Sequence, residues 1–337
     1  VADVQSDASV EAVLAVQPAA SAGGGDVDTR LPSMWSAITV PRVVTLSVLL
    51  AAALFAVPAL LSAFWLQVAL TTVVYSAVAL GLNVLVGRAG MVSLAQIPVV
   101  AAGVWIALRL DQQWSLPFPI LLIFTGLLTG CVGTFIGFPA LRLRGVYLAL
   151  ITLMGAGAIT ILLNIYKFPN GGGGFWGFDE SIPSGTTVLE RPAIADGDTA
   201  YYRYCAVVVA LLFLLVTWHI RGKPGRAWAA IRQSEATAVA AGVNTMRFKL
   251  WCFFLSAAVS GVAGALLAAA PGGVSATQFP VQGSIILLAV VLMGGVYSIW
   301  GAIVAAFLQR AFPQLLDQKL GIPPEFLIML FGVGVMQ

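Results

Sequence analysis

Long apolar stretches alternate with short polar breaks along most of the chain, at 43–63, 66–86, 91–110, 117–138, 146–165, 202–220, 248–270 and 284–308. A helix needs ~20 such residues to cross the hydrocarbon of a bilayer. The pattern therefore predicts an all-α integral membrane protein, a polytopic bundle of about 8–10 transmembrane helices. A further apolar stretch starts near Phe326 and stops at Gln337. It is shorter than the ~17 residues of a span, which predicts a partial helix or a chain that continues. Residues 1–42 hold many Ala, scattered Asp and the triplet Gly23, Gly24 and Gly25, without the basic start and apolar core of a signal peptide. They predict a disordered tail ahead of a membrane domain, 43–337.

Composition agrees with this class. Hydrophobic residues make up 60% of the chain and charged residues 9%, against about 25% charged in a soluble domain. The net charge of +3 matters less than where the charges fall. Arg42 precedes the first apolar stretch, Arg88 follows the second, and Arg142 and Arg144 follow the fourth. Arg310 and Lys319 follow the eighth. If each stretch crosses the membrane, these residues share one side, which their charge makes cytoplasmic together with the N-terminus. Arg109, beside Asp111, is the exception. On the opposite side the loop 166–201 carries Asp179, Glu180, Glu190, Asp196 and Asp198 against Lys167 and Arg191. Its glycine run at 170–174, followed by Phe175 and Trp176, reads either as an interfacial anchor or as a docking site for an external partner.

The sixth and seventh stretches are separated by a cytoplasmic insert, 221–249. It places Arg221, Lys223, Arg226, Arg232, Arg247 and Lys249 against the single acid Glu235. Its alanine-rich middle predicts a short helix over 227–241, stopped by Gly242 and preceded by a break at Pro224 and Gly225. On residues alone this is either a basic loop resting on lipid headgroups or a helix that docks in a partner's groove.

Several chemistries find no support in the residues present. No Asp, Glu, Lys, Arg or His falls in the middle of the eight stretches, whereas ion relays and voltage sensors use such groups. His219, the only histidine, sits beside Trp218 at a helix end and reads as interfacial. Cys131, Cys205 and Cys252 lie inside apolar runs and read as packing residues. Metal binding and nucleophilic catalysis therefore lack ligands and a base, and no phosphate-binding loop occurs. Small residues at helical spacing, such as Ser256, Ser260 and Gly264, Ala257, Gly261 and Ala265, and Gly126 with Gly130, predict close helix packing. The uncharged polar residues left for a solute path are Tyr75, Asn83, Ser93, Gln96, Asn164 and Ser298. The segments 85–96 and 292–302, interrupted by Gly87, Gly90, Gly294 and Gly295, share a Leu-x-Gly start and a Gly-x-x-Ser step. Paired interruptions of this kind point to a pathway between structural repeats.

Taken in order, ALGLNVLVGRAGMVSLAQ (79–96), FPALRLRGVYLALITL (138–153), the PNGGGG loop (169–174), GRAWAAIRQSEATAVAAGVNTMRFKL (225–250), LSAAVSGVAGAL (255–266) and LMGGVYSIWGAIVAAFL (292–308) resemble the permease subunits of branched-chain amino acid ABC importers. The resemblance covers roughly residues 66–336. It implies an ABC importer permease fold in the bacterial inner membrane, without an ATPase site of its own. Such a subunit pairs with a second permease, identical or different, and receives its solute from an external binding protein. Cytoplasmic ATPase subunits would hold the ATP and magnesium, and the only other expected partner is membrane lipid, with no nucleic acid. The resemblance makes the insert a coupling helix, with Arg226, Ile231, Arg232 and Glu235 on or near the ATPase. Gly225 and Gly242 would bound that helix and Lys249 would start the next span. Related permeases carry urea, amides or aromatic acids, so the solute stays open, and an ATP-independent facilitator for a small neutral solute is the competing reading of the residues.

Overall fold

In the computed structural model the described residues are 54–140, 143, 145–165, 189–271, 274 and 278–320. They all lie within one compact unit, Leu46–Gln337. The tail at 1–42, the glycine run at 170–174 and the stretch from Phe326 fall outside them. Every regular element among them is helical. The helices are α1 (Ala63–Asn83), α2 (Gln96–Trp114), α3 (Phe118–Ala140), α4 (Val146–Ile165), α5 (Asp198–Arg221), α6 (Lys223–Gln233), α7 (Glu235–Ala240), α8 (Thr245–Ala268), α9 (Gly283–Gly295), α10 (Gly301–Ala306) and α11 (Phe312–Leu320). Single π-turns extend α1 through Val84–Arg88 and join α10 to α11 through Phe307–Ala311.

Five described helices are long and apolar enough to cross a membrane: α1 with its π-turn, α3, α4, α5 and α8. The remaining apolar stretches differ from expectation for identifiable reasons. Of 43–63, only the last part is described. The stretch 91–110 becomes helical only at Gln96, because 91–95 is irregular, and it runs on past Arg109 and Asp111. The stretch 284–308 is not one span. It breaks after Gly295, whose φ of +98° favours glycine, and helix resumes at Gly301. The loop expected over 166–201 ends earlier, since α5 already starts at Asp198.

Helices α1 and α8, the two most buried of these spans, run antiparallel to each other at the centre of the bundle. Gln67 Nε2 donates to the Pro271 carbonyl at 2.9 Å near the start of α1, and Ser256 Oγ donates to the Gly81 carbonyl at 2.8 Å. Cys252 Sγ reaches the Val84 carbonyl near its end. These contacts define two ends of the bundle. At one end Leu189 N and Tyr201 Oη donate to the carbonyls of Ala268 and Leu266. Arg191 there pairs with Asp198 at 2.8 Å and lies over the Tyr201 ring. The other end gathers the insert and Arg88. His219 accordingly lies between Trp218 and Trp251, with Nδ1 2.9 Å from the Leu215 carbonyl.

The small-residue faces pack as their spacing predicts. A Cβ on Gly103 of α2 would stand 2.7 Å from the Cα of Gly261, and one on Gly264 would stand 2.5 Å from the Val100 carbonyl oxygen. The neighbouring face of α8 meets α3, where a Cβ on Gly133 would strike the Ala257 side chain.

Candidate functional site

The insert folds as two helices and not as the single one expected over 227–241. Pro224 sits in the first turn of α6, where its missing N–H and fixed φ are tolerated, so the helix starts earlier than the proline suggested. Ser234 then leaves the helix at φ −161° and caps α7, accepting from Thr237 N at 3.3 Å. Gly242 ends α7 with φ +78°, and Asn244 caps α8 by accepting from Arg247 N. Side-chain caps at Ser234 and Asn244 thus mark the starts of α7 and α8.

Three contacts fasten this pair to the bundle. Trp228 is fully buried, and its Nε1 donates to the Phe248 carbonyl at 2.8 Å. The buried Lys249 of α8 pairs with Glu235 of α7. Gly225 lets α6 approach the end of α5, since a Cβ there would lie 1.7 Å from the Ile220 carbonyl oxygen. Trp228→Ala is expected to cost about 3–5 kcal/mol, as loss of a buried aromatic does, seen as a lower melting temperature of the detergent-solubilised protein. Glu235→Gln strands the Lys249 ammonium. Breaking a buried pair costs roughly 3–5 kcal/mol, less here because the Glu235 side chain keeps 24% of its surface. Adding Lys249→Met should recover most of the lost melting temperature, which the same measurement follows.

Arg232 links the pair to the bundle's two backbone breaks. Its Nη1 donates to the Gly87 carbonyl at 2.7 Å, and its guanidinium carbon lies 4.4 Å from the centre of the Tyr297 ring. Gly87 belongs to the π-turn after α1, and Tyr297 to the break after α9. Those segments also touch directly. Arg88 Nη2 donates to the Tyr297 carbonyl at 3.2 Å and Asn83 Nδ2 to the Ser298 carbonyl at 2.9 Å. Each break begins at a glycine with positive φ, Gly90 at +69° and Gly295 at +98°. In each, the next helix starts six residues later, at Gln96 and Gly301. Beside Arg232 a cavity of about 420 Å³ opens between the insert, Gly90 and Gly145, and it reaches the Glu235–Lys249 pair.

A second polar cluster lies deeper. Gln96 Nε2 donates to Ser260 Oγ and, at 3.3 Å, to Ser256 Oγ. Ile97 N donates to Ser284 Oγ at 3.1 Å, and Ser93 is buried alongside. Only about 10 Å³ stays open beside Ser93 and Gln96, about the size of one water probe.

The residues singled out from sequence thus fall into separate places. Asn83 meets Ser298 at the break whose Tyr297 lies under Arg232, and Gly294 and Gly295 end α9 at the start of that break. Ser93 and Gln96 form the deeper cluster. Tyr75 stands apart under Arg310, and Asn164 is exposed near the end of α4. On the insert Arg226 and Arg232 are exposed, while Ile231 packs inward. The outward apolar side chains there are Val239 and Met246, which periodicity over an assumed single helix does not reveal. Tyr297, the aromatic under Arg232, was also not legible, because a cation–π partner on another helix leaves no local pattern. Among the described residues no three His, Cys, Asp or Glu side chains are grouped to hold a metal ion.

Comparison with known proteins places this geometry. The family described as branched-chain amino acid transport system / permease component matches residues 64–336. Two curated relatives, each named high-affinity branched-chain amino acid transport system permease protein LivM, come from Escherichia coli (strain K12) and Salmonella typhimurium. The chain is 33% identical to each over 273 residues, covering 74% of this chain and 63% of the relative. It therefore spans less than two thirds of those relatives' length. No solved structure matches.

Proposed function

The chain belongs to the family of branched-chain amino acid transport system permease components, and from that premise we propose that it forms the solute path of an ATP-binding-cassette importer without hydrolysing ATP itself. Its solutes are branched-chain amino acids, and its seat is the bacterial inner membrane, with the N-terminus and the 221–249 insert in the cytoplasm. A second permease subunit completes the path, cytoplasmic ATPase subunits bind ATP and magnesium, and an external binding protein delivers the solute.

The observation that carries the coupling part of this reading is the position of Arg232. One side chain on the insert holds the carbonyl of one break and the aromatic ring of the other. Trp228 and the Glu235–Lys249 pair make the insert rigid against α8, so a push on α6 and α7 reaches both breaks together. Rigid-body displacement of a packed element is a recognised way to switch a bundle between two states, and the Gln96–Ser256 cluster is the constriction such a displacement would open. The exposed Arg226, Val239, Met246 and Arg247 provide a mixed basic and apolar surface for a groove on the ATPase. Mild-detergent purification of the tagged chain from its own cells tests the assembly. An ATPase subunit and a second permease should copurify with the wild type, and recovery of the chain alone would contradict the proposal.

A further inference from the structure

Arg310 does not lie at a membrane surface, where its place after the apolar stretch 284–308 had put it. Helix resumes at Gly301 and continues to Leu320, which carries Arg310 into the bundle. Its guanidinium carbon lies 3.6 Å from the centre of the Tyr75 ring. Tyr75 is twelve residues from the start of the 26-residue segment Ala63–Arg88 and thirteen from its end, which at 1.5 Å per residue is roughly 18–20 Å from either. The cation is therefore at mid-depth.

Its surroundings do not satisfy it. Nε is enclosed and has no hydrogen-bond partner, and no carboxylate among the described residues pairs with it. The adjacent Gln309 Oε1 is likewise enclosed without a donor. Both residues sit on the π-turn Phe307–Ala311, a local distortion that often marks a functional position. Lys249, the buried cation of the insert, by contrast has its carboxylate in Glu235. An intramembrane arginine is costly unless something meets it. The Tyr75 ring covers one face of the guanidinium, which leaves the planar fork of N–H donors, and that fork matches a carboxylate in two-point contact.

We propose that Arg310, seated on Tyr75, is the intramembrane binding group for the carboxylate of the transported solute. The inference rests on the permease reading and adds a selective charge to a path whose other polar groups are neutral. A carboxylate from the second permease subunit would satisfy the same chemistry, and the test separates the two sources.

The test uses the purified complex with its ATPase and second permease subunits, in detergent without the binding protein and in proteoliposomes with it. Leucine, but not leucinamide, should raise the melting temperature of the wild-type complex. Arg310→Gln should abolish that shift and lower leucine uptake at least tenfold, while Arg310→Lys should retain part of both. The Gln variant should still copurify with the second permease in wild-type proportion. Equal stabilisation by leucine and leucinamide, or an unchanged leucine shift and uptake in Arg310→Gln, overturns the inference alone. Loss of the second permease from the Gln variant also overturns it, by assigning the carboxylate to the subunit interface. If the wild-type complex takes up no amino acid, the permease reading itself fails and the inference falls with it.

Discussion

Arg232→Ala is expected to separate ATP hydrolysis from uptake. In proteoliposomes holding the complete importer, leucine uptake should fall roughly thirtyfold while the ATPase rate stays near that of the wild type. The estimate follows from the two contacts removed. A hydrogen bond from a charged donor contributes about 1.5–3 kcal/mol and an exposed cation–π contact about 0.5–1 kcal/mol. About 2 kcal/mol of lost coupling corresponds to ~thirtyfold. Arg232→Lys should recover little, because an ammonium cannot both reach the Gly87 carbonyl and lie flat on Tyr297. Tyr297→Leu should reproduce part of the loss and add little to Arg232→Ala, since both substitutions remove the same contact. Glu235 is a poorer probe of coupling than Arg232. Its carboxylate neutralises Lys249, so its removal changes the fold of the insert as well as any docking. Unchanged uptake in Arg232→Ala at normal expression would show that the insert transmits nothing through this side chain.

Gly264→Leu is expected to prevent the bundle from assembling. The Cβ alone would lie 2.5 Å from the Val100 carbonyl oxygen and 2.9 Å from the Val104 nitrogen. Both are backbone atoms of α2, so no side chain can swing aside. Overpacking by single groups costs about 1–3 kcal/mol when side chains yield, and a Leu against backbone in a close helix crossing exceeds what a domain with ~5–15 kcal/mol of stability readily absorbs. The variant should be recovered as aggregate in fluorescence-detected size exclusion, with little monodisperse peak. Gly157→Leu is the control, because nothing lies within 4 Å of a Cβ at that position, and it should elute as the wild type does. Equal behaviour of the two variants would show that the α2–α8 crossing is looser than its geometry.

What could be seen in the sequence was what depends on local pattern. Apolar runs predicted α1, α3, α4, α5 and α8, since the length of a span is fixed by the bilayer and not by its neighbours. Glycine and serine at i, i+4 in 256–264 predicted a close crossing, although the partner helices could not be named from spacing. The insert was legible as a basic helical element. Its division at Ser234 was carried by a readable signal, a serine with an acidic residue after it, but the alanine-rich run around it argued for one continuous helix. The stretch 284–308 shows the limit of apolar counting. Gly294, Gly295 and Ser298 were visible as an interruption, yet average hydropathy treats an interrupted run and an unbroken one alike. Arg310 was misplaced for the same reason, because a cation after an apolar run looks like the end of a span. Only the Tyr75 ring, 235 residues earlier in the chain, shows otherwise. Contacts between distant helices, such as Arg232 to Gly87 or Trp228 to Phe248, depend on how the bundle folds and leave no trace in spacing.

We propose that this chain moves its solute only when driven by a separate ATPase. The direct measurement is uptake of radiolabelled leucine into proteoliposomes in two preparations. One contains the full complex with binding protein outside and ATP inside, and the other contains this chain alone. ATP-dependent accumulation against a gradient is expected in the first and no flux above empty vesicles in the second. Saturable flux through the chain alone, unaffected by ATP, would contradict it and make the protein a facilitator.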